Sequence, residues 1–219
     1  MCLDAKTGAT VWATPVNPVG GGSGYSTPVK MTVGGIPTYV CLLGQQAGVV
    51  GVHATTGKLL WQYAGKGTTG GTAQIPTPVV YENKVFVSCS YGPTGGAALL
   101  ELTASGKDKI DMKVVKAYGK PELNNHHGGM ILVGKHVFFG HDQNRGVPAC
   151  VDVTTGEIAF KDDREPQGMS GSAPGCGGAL LKGAKATTGT LAMRPAPTVE
   201  RITGTEGAAI DRQERVAAV

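Results

Sequence analysis

Leu3-Asp4-Ala5-Lys6-Thr7-Gly8-Ala9-Thr10-Val11-Trp12 comes back as Val52-His53-Ala54-Thr55-Thr56-Gly57-Lys58-Leu59-Leu60-Trp61. It returns again as Val151-Asp152-Val153-Thr154-Thr155-Gly156-Glu157-Ile158-Ala159-Phe160, with a weaker copy in Glu101-Leu102-Thr103-Ala104-Ser105-Gly106-Lys107. Glycines 8, 57, 106 and 156 lie 49, 49 and 50 residues apart. Each copy reads as a hairpin: a short apolar strand, a Thr-Gly or Ser-Gly turn, and a second strand. Glycine supplies positive φ in the turn without steric cost, and the Thr or Ser before it bonds to local backbone. Trp12, Trp61 and Phe160 each stand four residues beyond their glycine, which predicts an aromatic wedge between neighbouring units.

A second signal precedes the later glycines. It reads Ser26-Thr27-Pro28-Val29, Pro76-Thr77-Pro78-Val79 and, more loosely, His127-Gly128-Gly129-Met130. Each opens a strand pair: 29–32 with 38–43, 79–81 with 84–88, and 130–133 with 136–140. The intervening turns are Val33-Gly34-Gly35-Ile36-Pro37, Glu82-Asn83 and Gly134-Lys135. Every repeat therefore holds four short strands in about 49 residues. Four-stranded units at a period of roughly 40–50 residues are the mark of β-propeller blades. The expected fold is all-β: a propeller of four-stranded antiparallel blades, about four of them present and incomplete at the ends.

Composition agrees. Of 219 residues, 35 are glycine and 13 proline, against a usual glycine share of roughly 7 %. At that density helices are penalised, yet 41 % apolar content in short runs excludes wholesale disorder. The net charge of +4 is scattered, with no basic stripe to bind nucleic acid. No apolar run is long enough for a transmembrane helix, and no signal peptide is expected. Five cysteines, at 2, 41, 89, 150 and 176, include no CxxC and no adjacent pair, and read as small buried apolar residues.

The organisation expected is a partial propeller over 1–175: a half blade at 2–17, then blades at about 25–64, 75–118 and 127–162. All 12 aromatic residues lie between Trp12 and Phe160. Residues 176–219 are either a degenerate further blade or a disordered tail.

The pattern D-x-x-T-G-x-x-x-W at Asp4, Thr7, Gly8 and Trp12 resembles the tryptophan-docking motif of pyrroloquinoline-quinone-like, quinoprotein-type propeller repeats. The second copy keeps Thr56, Gly57 and Trp61 but has His53 at the Asp position. The copy around Gly106 lacks both Asp and Trp, and the last keeps Asp152, Thr155 and Gly156 with Phe160. Ala97–Leu102 and Asn125–Gly129 resemble a bacterial subgroup of quinone-binding-like propellers. The repeat type is also similar to that of the lipoprotein scaffolds of outer-membrane assembly. The resemblance implies a periplasmic or extracytoplasmic setting. It is also the sole source of pyrroloquinoline quinone with Ca²⁺ as a cofactor. About four blades, one of them partial, sit at the low end of the usual range of roughly four to eight, so the expectation is a fragment of a larger propeller; the alternative is a small ring closed by the N-terminal half blade and the C-terminal segment.

Blade geometry places the candidate site. The loop leading into strand one and the loop between strands two and three emerge at one end; the Thr-Gly turns lie at the other. At the first end the last full blade carries Asn125, His126 and His127, together with His141, Asp142 and Arg145. These side chains either satisfy loop backbone or contact a ligand. A metal held by the three imidazoles with Asp142 is the weaker alternative, because adjacent histidines rarely both reach one ion. Gly20–Gly24 lacks the Lys-Ser/Thr of a phosphate loop, and Gly168–Ser172 lacks the strand–elbow–helix setting of a hydrolase nucleophile. The expected function is a binding or interaction scaffold that takes a protein or small ligand on the loop end near the central channel. The alternatives are part of a quinone-dependent alcohol or sugar dehydrogenase, and an inert fragment.

Overall fold

The computed structural model describes residues 1–16, 24–43, 46–69, 73–92, 94–143 and 145–161. The expectations for 176–219, for Gly168–Ser172, for most of the Gly20–Gly24 loop and for the last residue of the half blade lie outside the described residues. The described elements are fourteen strands. No helix among the described residues is long and apolar enough to cross a membrane, which says nothing of β-barrels.

Strands β1 (Cys2–Leu3) and β2 (Thr10–Trp12) form a two-stranded sheet. Three four-stranded antiparallel sheets follow in chain order, here called blades two to four. Blade two is β3 (Val29–Val33), β4 (Ile36–Leu42), β5 (Val49–His53) and β6 (Leu59–Tyr63). Blade three is β7 (Val79–Tyr81), β8 (Lys84–Cys89), β9 (Gly96–Gly106) and β10 (Lys109–Gly119). Blade four is β11 (Ile131–Val133), β12 (His136–His141), β13 (Val147–Asp152) and β14 (Glu157–Lys161). Each pairs with its neighbours in sequence, so every blade is a simple meander.

The first hairpins of the blades turn on two residues. Gly34 and Gly35 have φ of 53° and 85°, so this turn is tighter than the five residues expected: Ile36 and Pro37 already belong to β4. Glu82 (φ 51°) and Gly134 (φ 58°) open the equivalent turns.

The second hairpins repeat one construction. In the first sheet, blade two and blade four, Gly8, Gly57 and Gly156 have φ of 71°, 72° and 79°. The side chain that opens the turn accepts from backbone inside it. Asp4 Oδ1 takes the Lys6 and Thr7 amides at 3.1 and 2.8 Å, and Asp152 Oδ1 takes the Thr154 amide at 2.8 Å. His53 does the same through Nδ1, from the Thr55 and Thr56 amides at 3.1 and 3.3 Å. The imidazole thus fills the carboxylate's role. The hydroxyls of Thr7, Thr56 and Thr155 each accept the amide two residues on.

Gly106 departs from this pattern. It ends β9 without positive φ, and the turn conformation falls to Asp108 at φ 52°. The 49-residue spacing through Gly106 is therefore a coincidence of length. Blade three instead has a longer hairpin of two eleven-residue strands. The true equivalence is set by a β-bulge that recurs before the wedge position: between Cys2 and Leu3 (facing Trp12 and Thr10), Gly51 and Val52 (facing Trp61 and Leu59), and Cys150 and Val151 (facing Phe160 and Ile158). In blade three the same irregularity sets Lys116 opposite Leu99, so Lys116 holds the aromatic's place.

Blade three is buried on both faces, which is why β8 and β9 read as continuous apolar runs. Val85, Val87, Ala98 and Leu100 pack against Val40, Leu42, Val49 and Trp61 of blade two. Phe86, Ala97, Leu99 and Tyr118 pack against Val137, Phe139, Ala149 and Val151 of blade four. Trp61 lies over Gly51 so closely that a Cβ there would fall inside the indole.

Each wedge is seated on the next blade's turn where the turn has the common form. The Trp12 ring covers Gly57, its Nε1 donates to Ala54 O at 3.3 Å, and the Thr14 hydroxyl donates to Gly57 O. In blade three Lys116 and Tyr118 divide this work. Lys116 packs on Gly156, and the Tyr118 hydroxyl, two residues on as Thr14 is, donates to Gly156 O.

Candidate functional site

At the loop end, three segments meet across the seam of blades three and four: the β8–β9 loop, the loop leading into β11, and the β12–β13 loop. His126 and His127 stack with ring centroids 3.7 Å apart and 19° between planes. Tyr91, from the β8–β9 loop, closes on both, 4.5 Å from His126 and with its hydroxyl 2.9 Å from His127 Nε2. His126 Nδ1 meets Gln143 O at 2.9 Å, so that nitrogen carries the proton. His127 is exposed and forms the outer surface of the stack.

His141 sits behind the stack. Its Nδ1 accepts the Asn124 amide at 3.1 Å, and the Asp142 amide returns a bond to Asn124 O at 3.2 Å. Burial, and then the Lys161 ammonium, lower the His141 pKa; burial, and then His127, lower that of His126. Both rings are therefore held neutral at pH 7. Asp142 takes positive φ (72°) and Arg145 is exposed. Two further cations stand at this end: Lys120 bonds Gln143 Oε1 at 2.9 Å, and Lys161 bonds Glu122 O at 3.2 Å.

The sequence-predicted residues are thus brought to one end of one blade, but not into one cluster. His126 and His127 face each other, while His141 serves the backbone of Asn124. No three His, Cys, Asp or Glu side chains gather to hold a metal among the described residues. A quinone–Ca²⁺ site would need such carboxylates and an indole to stack on. Trp12 is committed to Gly57 and Trp61 to Gly51, so the described residues do not fit that group.

A different feature emerges under the stack. Asn125 donates its amide to Ser88 Oγ at 2.8 Å, but neither polar atom of its side chain has a partner. The same is true of both polar atoms of Gln74, of Ser90 Oγ, of Asn124 Oδ1 and of His126 Nε2. Left without any partner, a buried group of this kind would cost about 1–3 kcal/mol. Tyr91, Gln74 and Ser90 were missed from sequence. A signal existed: Ser90-Tyr91 follows β8 as Asp142-Gln143 follows β12, and Gln74 lies in the loop leading into β7 as Asn125 lies in the loop leading into β11.

Successive antiparallel four-stranded meanders packed face to face, with Trp12 seated on the Gly57 turn and Lys116 and Tyr118 on the Gly156 turn, define a β-propeller of quinoprotein-type repeats. The family model described as outer membrane protein assembly factor BamB matches residues 1–162, and the chain belongs to that family. Among solved structures, BamB from Moraxella catarrhalis is similar at 20 % identity with a TM-score of 0.48, over 73 % of this chain. The matched region covers 44 % of that protein, so the chain spans less than half its length. No curated protein matches.

Proposed function

We propose that this chain is a protein-interaction scaffold that presents the loop end of blades three and four to a protein partner. The setting would be the extracytoplasmic space, in keeping with a family described as an outer membrane protein assembly factor. The observation that carries the reading is the ring stack. Tyr91, His126 and His127 present a continuous aromatic surface whose outer ring is exposed, and Lys120, Arg145 and Lys161 stand at the same end. Aromatic and Arg side chains are the groups that most often anchor protein interfaces. The opposite end spends its polar groups on its own turns.

Photo-crosslinking tests this. A photoreactive side chain at His127 or Arg145 should give adducts of discrete mass in the native cell envelope, and one at Lys6 or Thr155 should not. Equal adducts at both ends, or adducts at the turn end alone, would reject the reading. The dehydrogenase alternative is checked by adding pyrroloquinoline quinone and Ca²⁺: stoichiometric binding with dye reduction would replace the scaffold reading.

A further inference from the structure

We propose that the loop end of blade three, with its two seams, binds an extended, uncharged stretch of polypeptide by its backbone. The inference rests on the reading that this is the binding end, and names what is bound there. Gln74 and Asn125 stand in successive inter-blade loops, Gln74 five residues before β7 and Asn125 six before β11. Both are fully buried, and in each the donor and the acceptor of the carboxamide lack a partner. Ser90, also fully buried with its hydroxyl unpaired, follows the strand between them. Of the eight such atoms among the described residues, only Trp61 Nε1 lies elsewhere. Buried polar side chains in native proteins are nearly all satisfied, so this concentration at the loop end of blades three and four asks for a ligand.

The chemistry of the orphans restricts that ligand. A carboxamide offers a donor and an acceptor side by side, and needs an acceptor and a donor in return. The acceptors on Gln74, Asn124 and Asn125 would face the charge of a carboxylate or phosphate without a proton to receive. None of the orphan atoms is formally charged, and His126 is held neutral by its surroundings. An extended peptide residue meets the requirement, because its N–H and C=O point to the same side, and every second residue repeats the pair along one edge. Two carboxamides, in the loops leading into successive blades, offer that complementary pair twice. The Tyr91–His126–His127 stack roofs the Asn125 end. Gly92, at φ 71°, and Gly128-Gly129 flank the roof in sequence.

The test uses the full chain and a capped octapeptide of alternating Thr and Val, labelled with an uncharged dye and followed by anisotropy. Saturable binding is expected. It should weaken at least tenfold when alternate residues are N-methylated, which removes the backbone donors. Gln74→Leu and Asn125→Leu should each weaken it comparably while leaving the melting midpoint unchanged or higher, since those carboxamides bond nothing in the free protein. Absence of saturation, indifference to N-methylation, or tighter binding of maltoheptaose would overturn the proposal. N-methylation needs no variant and stands even where a substitution impairs folding. Loss of peptide binding with crosslinks at His127 retained would sink this inference alone; loss of both would sink the scaffold reading as well.

Discussion

The two ends of these blades are built from the same strands and are used in opposite ways. At the turn end, the side chains of Asp4, His53 and Asp152 each accept turn amides, and three Thr hydroxyls each accept the amide beyond the glycine. At the loop end of blades three and four, seven buried polar atoms have no partner. The lesson is that repetition marks the end that holds the protein together. The end where the repeat lapses is left with hydrogen-bonding capacity to spend on something else.

The comparison can be attacked from its strongest side first. Trp61 is almost wholly buried between blades two and three, so Trp61→Ala should lose about 3–5 kcal/mol in denaturant unfolding. A loss below about 1 kcal/mol would mean the wedges are not what joins the blades.

Gly8 and Gly57 separate backbone conformation from seating, because their φ values, 71° and 72°, are nearly the same. A Cβ on Gly8 meets nothing, whereas one on Gly57 would stand 2.6 Å from the Trp12 ring. Gly8→Ala should cost about 1 kcal/mol and Gly57→Ala about 1–3 kcal/mol more. Equal costs would show that the turn is not a seat. Tyr118→Phe removes only the hydroxyl on Gly156 O and should cost about 1 kcal/mol, read from the same unfolding curves.

Acid should dissolve the two ends in different windows. His126 and His141 have lowered pKa values, so the folded state prefers them neutral. Their contribution is fully present above the unfolded value of about 6.5 and is lost as pH falls through it toward the lowered folded values. Asp4 is held low by the Thr7 hydroxyl and then by the Thr7 and Lys6 amides. For Asp152, burial alone would raise the pKa; the Lys135 ammonium and Thr154 outweigh it and keep the carboxyl well below its usual range. These turns keep their contribution until pH drops below about 4, the ordinary carboxylate value, and lose it progressively below that. Amide exchange should therefore quicken first around 124–143 and only later at 4–9 and 152–157. Simultaneous loss would erase the distinction. The smallest effect is expected from His127→Ala on the exposed roof: within about 0.5 kcal/mol in stability, with a clear loss of crosslinked partner.

The all-β repeat was legible because turn chemistry is local. Thr-Gly with an aromatic four residues on says the same thing wherever it stands, and three copies in phase select a propeller. Blade three was misread because its hairpin is longer. Gly106 falls in phase by length, while Lys116 and Tyr118 take over the wedge through a bulge that leaves no mark in a one-dimensional pattern. The histidines were legible as residues of one end, since strand order alone decides that. Their division into a stacked pair and a backbone-bonded third was not, because it depends on Tyr91 from another blade. The unpaired carboxamides were invisible for the same reason: being without a partner is a property of surroundings.

The seating of Trp12 on the following blade also has a consequence in time. The indole and its acceptor, Ala54 O, are 42 residues apart. At about 5–20 residues per second of synthesis, the wedge leaves the ribosome roughly 2–8 seconds before its seat exists. The same order of emergence applies at every seam, so each newly made blade presents a bare apolar flank until its successor arrives.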